Sequence, residues 1–161
     1  MTTEPISIPV MPVLTTAPFT ALCFQTRATL QTMKQSVGNV PGRMYAEADR
    51  LGLTITGPMA FHYNGVAGDV TKEFDLLIVV PIAAEGTPAN DFTYKTIDPF
   101  YCATYTYKGP WEGLGAMYDA LFPAFYAQGH TYTKQVREVY AVADFANTDN
   151  HVTEIQVGLG E

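Results

Sequence analysis

The sequence predicts an α+β fold: a curved antiparallel sheet flanked by helices, built from a strand-helix-strand-strand unit used twice about an approximate two-fold axis, with a ligand cleft at its centre. Three observations predict it. Residues 52 to 63, GLTITGPMAFHY, align without a gap on residues 129 to 140, GHTYTKQVREVY, matching Gly52 with Gly129, Thr54 with Thr131, Thr56 with Thr133 and Tyr63 with Tyr140. Each window is preceded by a strand pattern and a helical pattern, and followed by a further strand. A polar, Gly- and Pro-containing stretch, AAEGTPAND at residues 83 to 91, separates the two sets.

The elements follow in order. A first strand over about residues 5 to 14 suits an edge, where Pro5, Pro9 and Pro12 are tolerated. PFTALCFQTR, residues 18 to 27, reads as the opening strand of the first unit. A helical stretch runs over about residues 28 to 51, with Leu30, Met33 and Val37 at helical spacing, and VGNVPG at 37 to 42 divides it through Gly38, Pro41 and Gly42. Gly52 stops the second helix. Strands are expected at roughly 55 to 64 and 73 to 82.

The second unit repeats this order. FYCATYTY, residues 100 to 107, is its strand; Trp111, Leu114, Tyr118, Leu121 and Phe125 form one helical stripe, in which Pro123 is expected to kink or split the helix. Gly129 is its stop, and strands follow at roughly 132 to 143 and 152 to 158. The chain is read as a single domain over residues 1 to 161, with repeat halves at roughly 15 to 82 and 92 to 159.

Composition narrows the function. The chain has 161 residues, 47% hydrophobic and 12% aromatic, with a formal net charge of −7. No Lys/Arg run offers a footprint for nucleic acid phosphates, so direct DNA or RNA binding is disfavoured. The N-terminal residues MTTEPISIPVMPVLTTAPF carry no basic n-region and four prolines, unlike a secretory signal, and no segment approaches the ~18 apolar residues of a membrane span. Cys23 and Cys102 form no metal or redox motif and read as buried free thiols. A soluble cytoplasmic protein is expected. His62, His130 and His151 lack metal-ligand spacing, and no Gly-rich phosphate loop, nucleophile elbow or HExxH motif is present, so neither a metal nor another cofactor is expected.

One strand breaks its own pattern. In KQVREVYAV, residues 134 to 142, the more apolar face carries Val136, Glu138, Tyr140 and Val142, and the other Gln135, Arg137, Val139 and Ala141. A carboxylate on a covered face requires a positive partner, a hydrogen-bond network or a raised pKa. Glu138 therefore either pairs with a Lys or Arg from another strand, points outward from an edge, or lines a pocket. Arg137 has the opposite parity and is not expected to neutralise it. In the repeat alignment Glu138 lies opposite Phe61, so one half places a carboxylate where the other places a ring. His62 falls on the face opposite Phe61 and Tyr63, and Glu154 in VTEIQV either lines the site or faces solvent.

Aromatic residues supply the neighbours: Phe61 and Tyr63 from the first half, with Tyr105, Tyr107, Trp111 and Tyr140 from the second. Rings attract cations and a carboxylate adds a full opposite charge, a combination suited to a flat lipophilic cation. The same tyrosines and Trp111 read equally well as core.

YTYKGPWEGLGAMYDAL (105 to 121), VREVY (136 to 140), VTEIQVGL (152 to 159) and GPMAFHY (57 to 63) resemble the GyrI-like small-molecule-binding domain, also seen as the effector-binding domain of AraC-type and MerR-type regulators. The likeness covers nearly the whole chain. It implies that a buried Glu on this strand contacts cationic drugs, and Glu138 matches that position. It also implies a pattern of Tyr, one residue, Gly, one residue, aromatic, which Tyr107, Gly109 and Trp111 fit, with Trp where Tyr is common. A haem-binding family shares this general fold, but no residue here stands out as an axial ligand.

The resemblance leaves three functions open. The first is a stand-alone binding protein for small hydrophobic or cationic, multidrug-type ligands; the first strand pattern begins near the N-terminus, so no helix-turn-helix is expected before it. The second is a hydrolase of cyclopropane-bearing genotoxins, in which Glu138 activates water or moves a proton, Tyr107 or Tyr140 polarises a carbonyl and Trp111 stacks on the substrate. The third is an inhibitor of gyrase or a module that engages a regulator protein, the least favoured.

Overall fold

The computed structural model describes residues 7 to 66 and 69 to 160. Eight strands form one antiparallel sheet: β1 (Val13–Thr15), β2 (Phe19–Ala28), β3 (Ala60–Asn64), β4 (Phe74–Ile82), β5 (Thr93–Ile97), β6 (Tyr101–Lys108), β7 (Tyr132–Val142) and β8 (Val152–Leu159). Their order across the sheet is β1-β6-β8-β7-β3-β4-β2-β5. The two units, β2 to β4 and β6 to β8, thus meet at β3 and β7. Each outer strand pads the other unit: β1, which precedes the first, pairs with β6, and β5, which precedes the second, pairs with β2. The sheet is curved and does not close, leaving β1 and β5 at its two edges.

Helices α1 (Met33–Val37) and α2 (Val40–Arg50) serve the first unit, and α3 (Leu114–Ala127) the second. One alignment joins the helices as well as the central strands. The shift that takes Gly52 to Gly129 also takes Val40, Met44 and Ala48, buried in α2, to Met117, Leu121 and Phe125, buried in α3. Gly52 and Gly129 have φ of 68° and 87°, the left-handed backbone in which glycine ends a helix without side-chain strain.

The inner sheet face and the helices enclose the main core, including Leu22, Met44, Phe74, Leu76, Ile78, Leu121, Phe125, Val136, Ile155 and Val157. The other sheet face has a smaller apolar cluster of Ala21, Cys23, Ala60, Val79 and Ile97. Both cysteines are free and buried, and burial pushes the Cys23 thiol up to about 12 and the Cys102 thiol up to about 11.

Several boundaries differ from expectation. The first strand is confined to Val13–Thr15, and residues 1 to 6 lie outside the described residues. The first helix starts at Met33, after a turn in which the Thr29 and Thr32 hydroxyls bind each other's backbone amides, groups that compete with a helical start. Gly38, with φ of 48°, and Asn39 make the break, while Pro41 and Gly42 belong to the first turn of α2, where proline's missing N–H costs nothing. Of the stretch 55 to 64 only Ala60–Asn64 is strand, apart from an isolated bridge at Ile55. β5 is an additional strand. α3 is not split by Pro123: the residue four before it, Asp119, is exposed, so water can satisfy the carbonyl that proline leaves free, and Met117, Leu121 and Phe125 anchor both sides.

Candidate functional site

β3 and β7 pair in a register that sets Phe61 directly opposite Glu138, with Ala60 opposite Val139 and His62 opposite Arg137. Phe61 and Glu138 are also partners in the repeat alignment. Two residues that are at once repeat partners and cross-strand partners lie on the two-fold axis itself. The axis therefore passes between a phenyl ring and a carboxylate, and at this point the pseudo-symmetry is broken in chemistry while the backbone keeps it.

Glu138 is 5% exposed, on the inner face under α3. Its surroundings are phenolic. Tyr63 donates to Oε1 at 2.7 Å and Tyr140 donates to the same oxygen at 2.7 Å, while Tyr118 of α3 donates to Oε2 at 2.5 Å. Tyr63 and Tyr140 are repeat partners, so the two-fold brings them to one oxygen from opposite sides. Among the described residues no Lys or Arg forms an ion pair with Glu138. Three hydroxyl donors complement an ionised carboxylate, which can only accept. Burial, then the Glu138 charge, raises all three phenols well above their ordinary value, so they remain protonated donors.

Rings extend outward from this centre. Tyr140 meets Phe61 edge to face at 5.0 Å between centroids and Trp111 at 5.3 Å. Trp111, in a 3-10 turn that leads into α3, stacks on His151 at 4.3 Å with 13° between planes. Its indole Nε1 is buried with no hydrogen-bond partner among the described residues. Phe145, 75% exposed in the β7–β8 connection, covers the edge of both rings.

Glu138, Tyr63, Tyr140, Phe61 and Trp111 thus come together. Tyr105 and Tyr107 sit apart on β6: β8 lies between, with Ile155 facing both Tyr105 and Glu138. The Tyr107 hydroxyl donates to the Pro110 carbonyl at 2.9 Å. Its ring lies over Gly109 and Gly113, where an added Cβ would fall 3.0 Å and 2.2 Å from the hydroxyl oxygen. The Tyr-x-Gly-x-aromatic spacing therefore has a structural cause, closing the turn into α3 with a tyrosine laid across two glycines.

Two residues were missed. Tyr118 was visible only as one ring of the helical stripe, although its place under the sheet required a partner for its hydroxyl. His151 carried no signal beyond its position beside β8; its Nδ1 accepts from the Asp144 amide at 2.9 Å and so shapes the connection over Trp111. Glu154 faces the outer side, where it accepts from Gln156 at 3.3 Å, and Arg137 is there too, as its parity requires. Among the described residues no group of His, Cys, Asp and Glu is placed to hold a metal ion, and no helix is long and apolar enough to cross a membrane.

The model of one family, the GyrI-like small molecule binding domain, matches residues 11–159. Solved structures share the fold. The EcmrR C-terminal domain superposes with a TM-score of 0.71 at 16% identity, over 93% of this chain and 96% of that one. In its complex with DNA, EcmrR gives 0.71 at 19% identity, and the present chain covers 93% of itself but spans 57% of that longer chain. SAV2435, solved with tetraphenylphosphonium bound, gives 0.63 at 13% identity over 93% of both chains. A hydrolase from Listeria innocua gives 0.56 at 10% identity, over 92% of this chain and 91% of that one. No curated protein matches the chain.

Proposed function

Since the chain belongs to the GyrI-like small-molecule-binding domain family, we propose that it binds lipophilic, cationic ligands of the multidrug type on the inner face, with Glu138 as counter-charge and Phe61, Tyr63, Trp111, Tyr118 and Tyr140 as the surrounding wall. One observation carries the reading. Glu138 is a buried carboxylate whose partners are all neutral hydroxyls, so it keeps an electrostatic debt that a cation can settle. Aromatic faces around it favour a delocalised cation over a hydrated one. Binding of tetraphenylphosphonium by SAV2435 supports this choice of ligand class.

For a cation to reach the carboxylate, a hydroxyl has to give way. Tyr63 and Tyr140 are fixed on the paired central strands, whereas Tyr118 rides on α3 and covers Oε2 from the helix side. Tyr118 is therefore the residue that moves. Tyr105 and Tyr107 contribute at most the far wall, and the reading assigns the protein to the cytoplasm, where Cys23 and Cys102 stay reduced.

A second reading, hydrolysis of a cyclopropane-bearing genotoxin, is favoured by the resemblance in fold to the Listeria innocua hydrolase and by the pairing of a carboxylate with phenol donors. Glu138 would take a proton from water as that water opens the strained ring. The carbonyl-polarising role falls to Tyr63, Tyr118 or Tyr140, since the Tyr107 hydroxyl is held by Pro110. Calorimetric titration with tetraphenylphosphonium, together with mass spectrometry of a recovered cyclopropane substrate, separates the two. Saturable cation binding with the substrate intact supports the binding protein; a water adduct formed over many turnovers supports the hydrolase; neither result overturns both.

A further inference from the structure

The outer face of the central strands carries a second, chemically opposite arrangement. His62 of β3 faces Arg137 of β7 there, next to the Phe61–Glu138 pair but on the reverse side of the sheet. The repeat partners of these two residues are Val139 and Ala60, which face each other two residues along, beyond the Phe61–Glu138 pair. The axis thus divides the outer face into a cationic half and an apolar half.

Two cavities follow that division and meet at His62 and Arg137, which line both. One, of 240 Å³, is walled by Gln25, Lys95, Phe100 and Gln135; the other, of 160 Å³, by Phe19, Pro58, Ala60, Pro81 and Val139. Arg137 lies over the Phe100 ring, its guanidinium carbon 4.1 Å from the centroid. A ring satisfies one face of a guanidinium and leaves the N–H groups at its edge free. Among the described residues neither Arg137 nor Lys95 forms an ion pair; Asp75, at the rim, is held by Arg27 at 3.4 Å, and Asp98 acts on Arg137 from beyond ion-pair distance. Lys95 Nζ donates to Gln25 Oε1 at 3.2 Å, which keeps the ammonium at the cavity wall. Burial lowers the Arg137 guanidinium to about 10, so it stays charged at neutral pH while losing part of its hydration. In a chain of net charge −7 this is a local reversal of sign.

We propose that the two cavities form one groove for an amphiphilic carboxylate, its anionic head on the Arg137 guanidinium with Lys95 alongside and its apolar body over Phe19, Ala60 and Val139. Bidentate carboxylate recognition suits the free guanidinium edge, and the neutral His62 imidazole between the halves can donate to or accept from the head. Each cavity alone is below the usual drug-sized range and the groove they form is narrow in volume, so it selects a compact ligand with one or two rings. It opens on the sheet face opposite Glu138, and Tyr63 of β3 is the residue that borders both sites.

Calorimetric titration of the full chain with 2-naphthoate and with its neutral isostere 2-naphthamide tests this. The expected result is saturable naphthoate binding, about tenfold weaker for the amide and about tenfold weaker in Arg137→Gln, with Glu138→Gln unchanged. Val139→Phe, which fills the apolar half, should weaken both ligands. Equal affinity for acid and amide, full binding by Arg137→Gln, or no binding of naphthoate up to its solubility limit would overturn the proposal. If Arg137→Gln does not fold, Lys95→Gln and Val139→Phe carry the test, and unchanged binding in both overturns it. Loss of naphthoate binding in Glu138→Gln would also overturn it, by placing the ligand on the inner face.

Discussion

Phe61 and Glu138 face each other across β3 and β7 and are also repeat partners, so the approximate two-fold axis runs between them. A duplicated fold here keeps its backbone symmetry and places a buried carboxylate, with no ion-pair partner among the described residues, on the axis. Tyr63 and Tyr140, still symmetric, converge on the single oxygen that this asymmetry provides.

The carboxylate is expected to contribute little to stability by its charge and much by its acceptors. Glu138→Ala leaves three phenol hydroxyls without their acceptor and should destabilise by about 2 to 4 kcal/mol. Glu138→Gln keeps an acceptor and removes a buried charge with no cationic partner, so its stability should lie within about 1 kcal/mol of wild type or above it. Urea unfolding of both variants reads the order; a Gln variant as unstable as the Ala variant would contradict it.

Tyr118→Phe separates closure from binding. Removing the hydroxyl deletes one charge-assisted hydrogen bond, costing about 1 to 2 kcal/mol of stability. It also removes the group that holds α3 against Oε2, so tetraphenylphosphonium should bind more tightly, by up to about tenfold. Weaker binding by this variant would mean that the Tyr118 hydroxyl holds the ligand rather than closes the site.

His62 gives a pH signature. Burial, with repulsion from Arg137 opposite, lowers its imidazole to about 3 from the ordinary 6.5. Between those values the unfolded chain binds more protons than the folded one, so stability falls as pH is lowered through that window and is fully retained above it. The wild type should lose up to about 1 kcal/mol per pH unit more than His62→Gln between pH 6 and pH 4.5. Parallel stability curves would show that His62 is solvated in the folded state.

Tyr107 is expected to act on stability rather than on ligands. Gly113→Ala drives a Cβ to within 2.2 Å of the Tyr107 hydroxyl oxygen and should destabilise by about 1 to 3 kcal/mol. Pairing it with Tyr107→Leu should recover part of that loss, read as a double-mutant cycle in thermal unfolding. Additive effects would show that the ring and the glycine do not meet.

The duplicated α+β architecture was legible because Gly52 and Gly129 mark equivalent helix ends and strand parity separates Glu138 from Arg137. Phe61 and Glu138 could be matched in the alignment, but that they also face each other across β3 and β7 appears only in the strand register. Other features had no comparable signature. β5, Thr93–Ile97, is mostly polar and exposed, so it reads as a linker until β2 pairs with it. Tyr118 sits at a spacing that core aromatics share, and only the fold shows that its hydroxyl ends on a carboxylate. The Tyr107 pattern pointed toward the ligand because the cost of a side chain at Gly109 and Gly113 appears only in three dimensions. The cationic outer groove draws on strands β2, β3, β4, β5 and β7, which no local pattern connects.

The most direct test of the account uses Trp111, the single tryptophan of the chain, whose ring lies 5.3 Å from that of Tyr140 beside the carboxylate. Its fluorescence, titrated with tetraphenylphosphonium in wild type and in Glu138→Gln, should show saturable quenching in the wild type and affinity at least about tenfold weaker in the variant, with a neutral triphenyl compound bound equally by both. Equal affinity of wild type and variant for the cation would contradict the role given to Glu138.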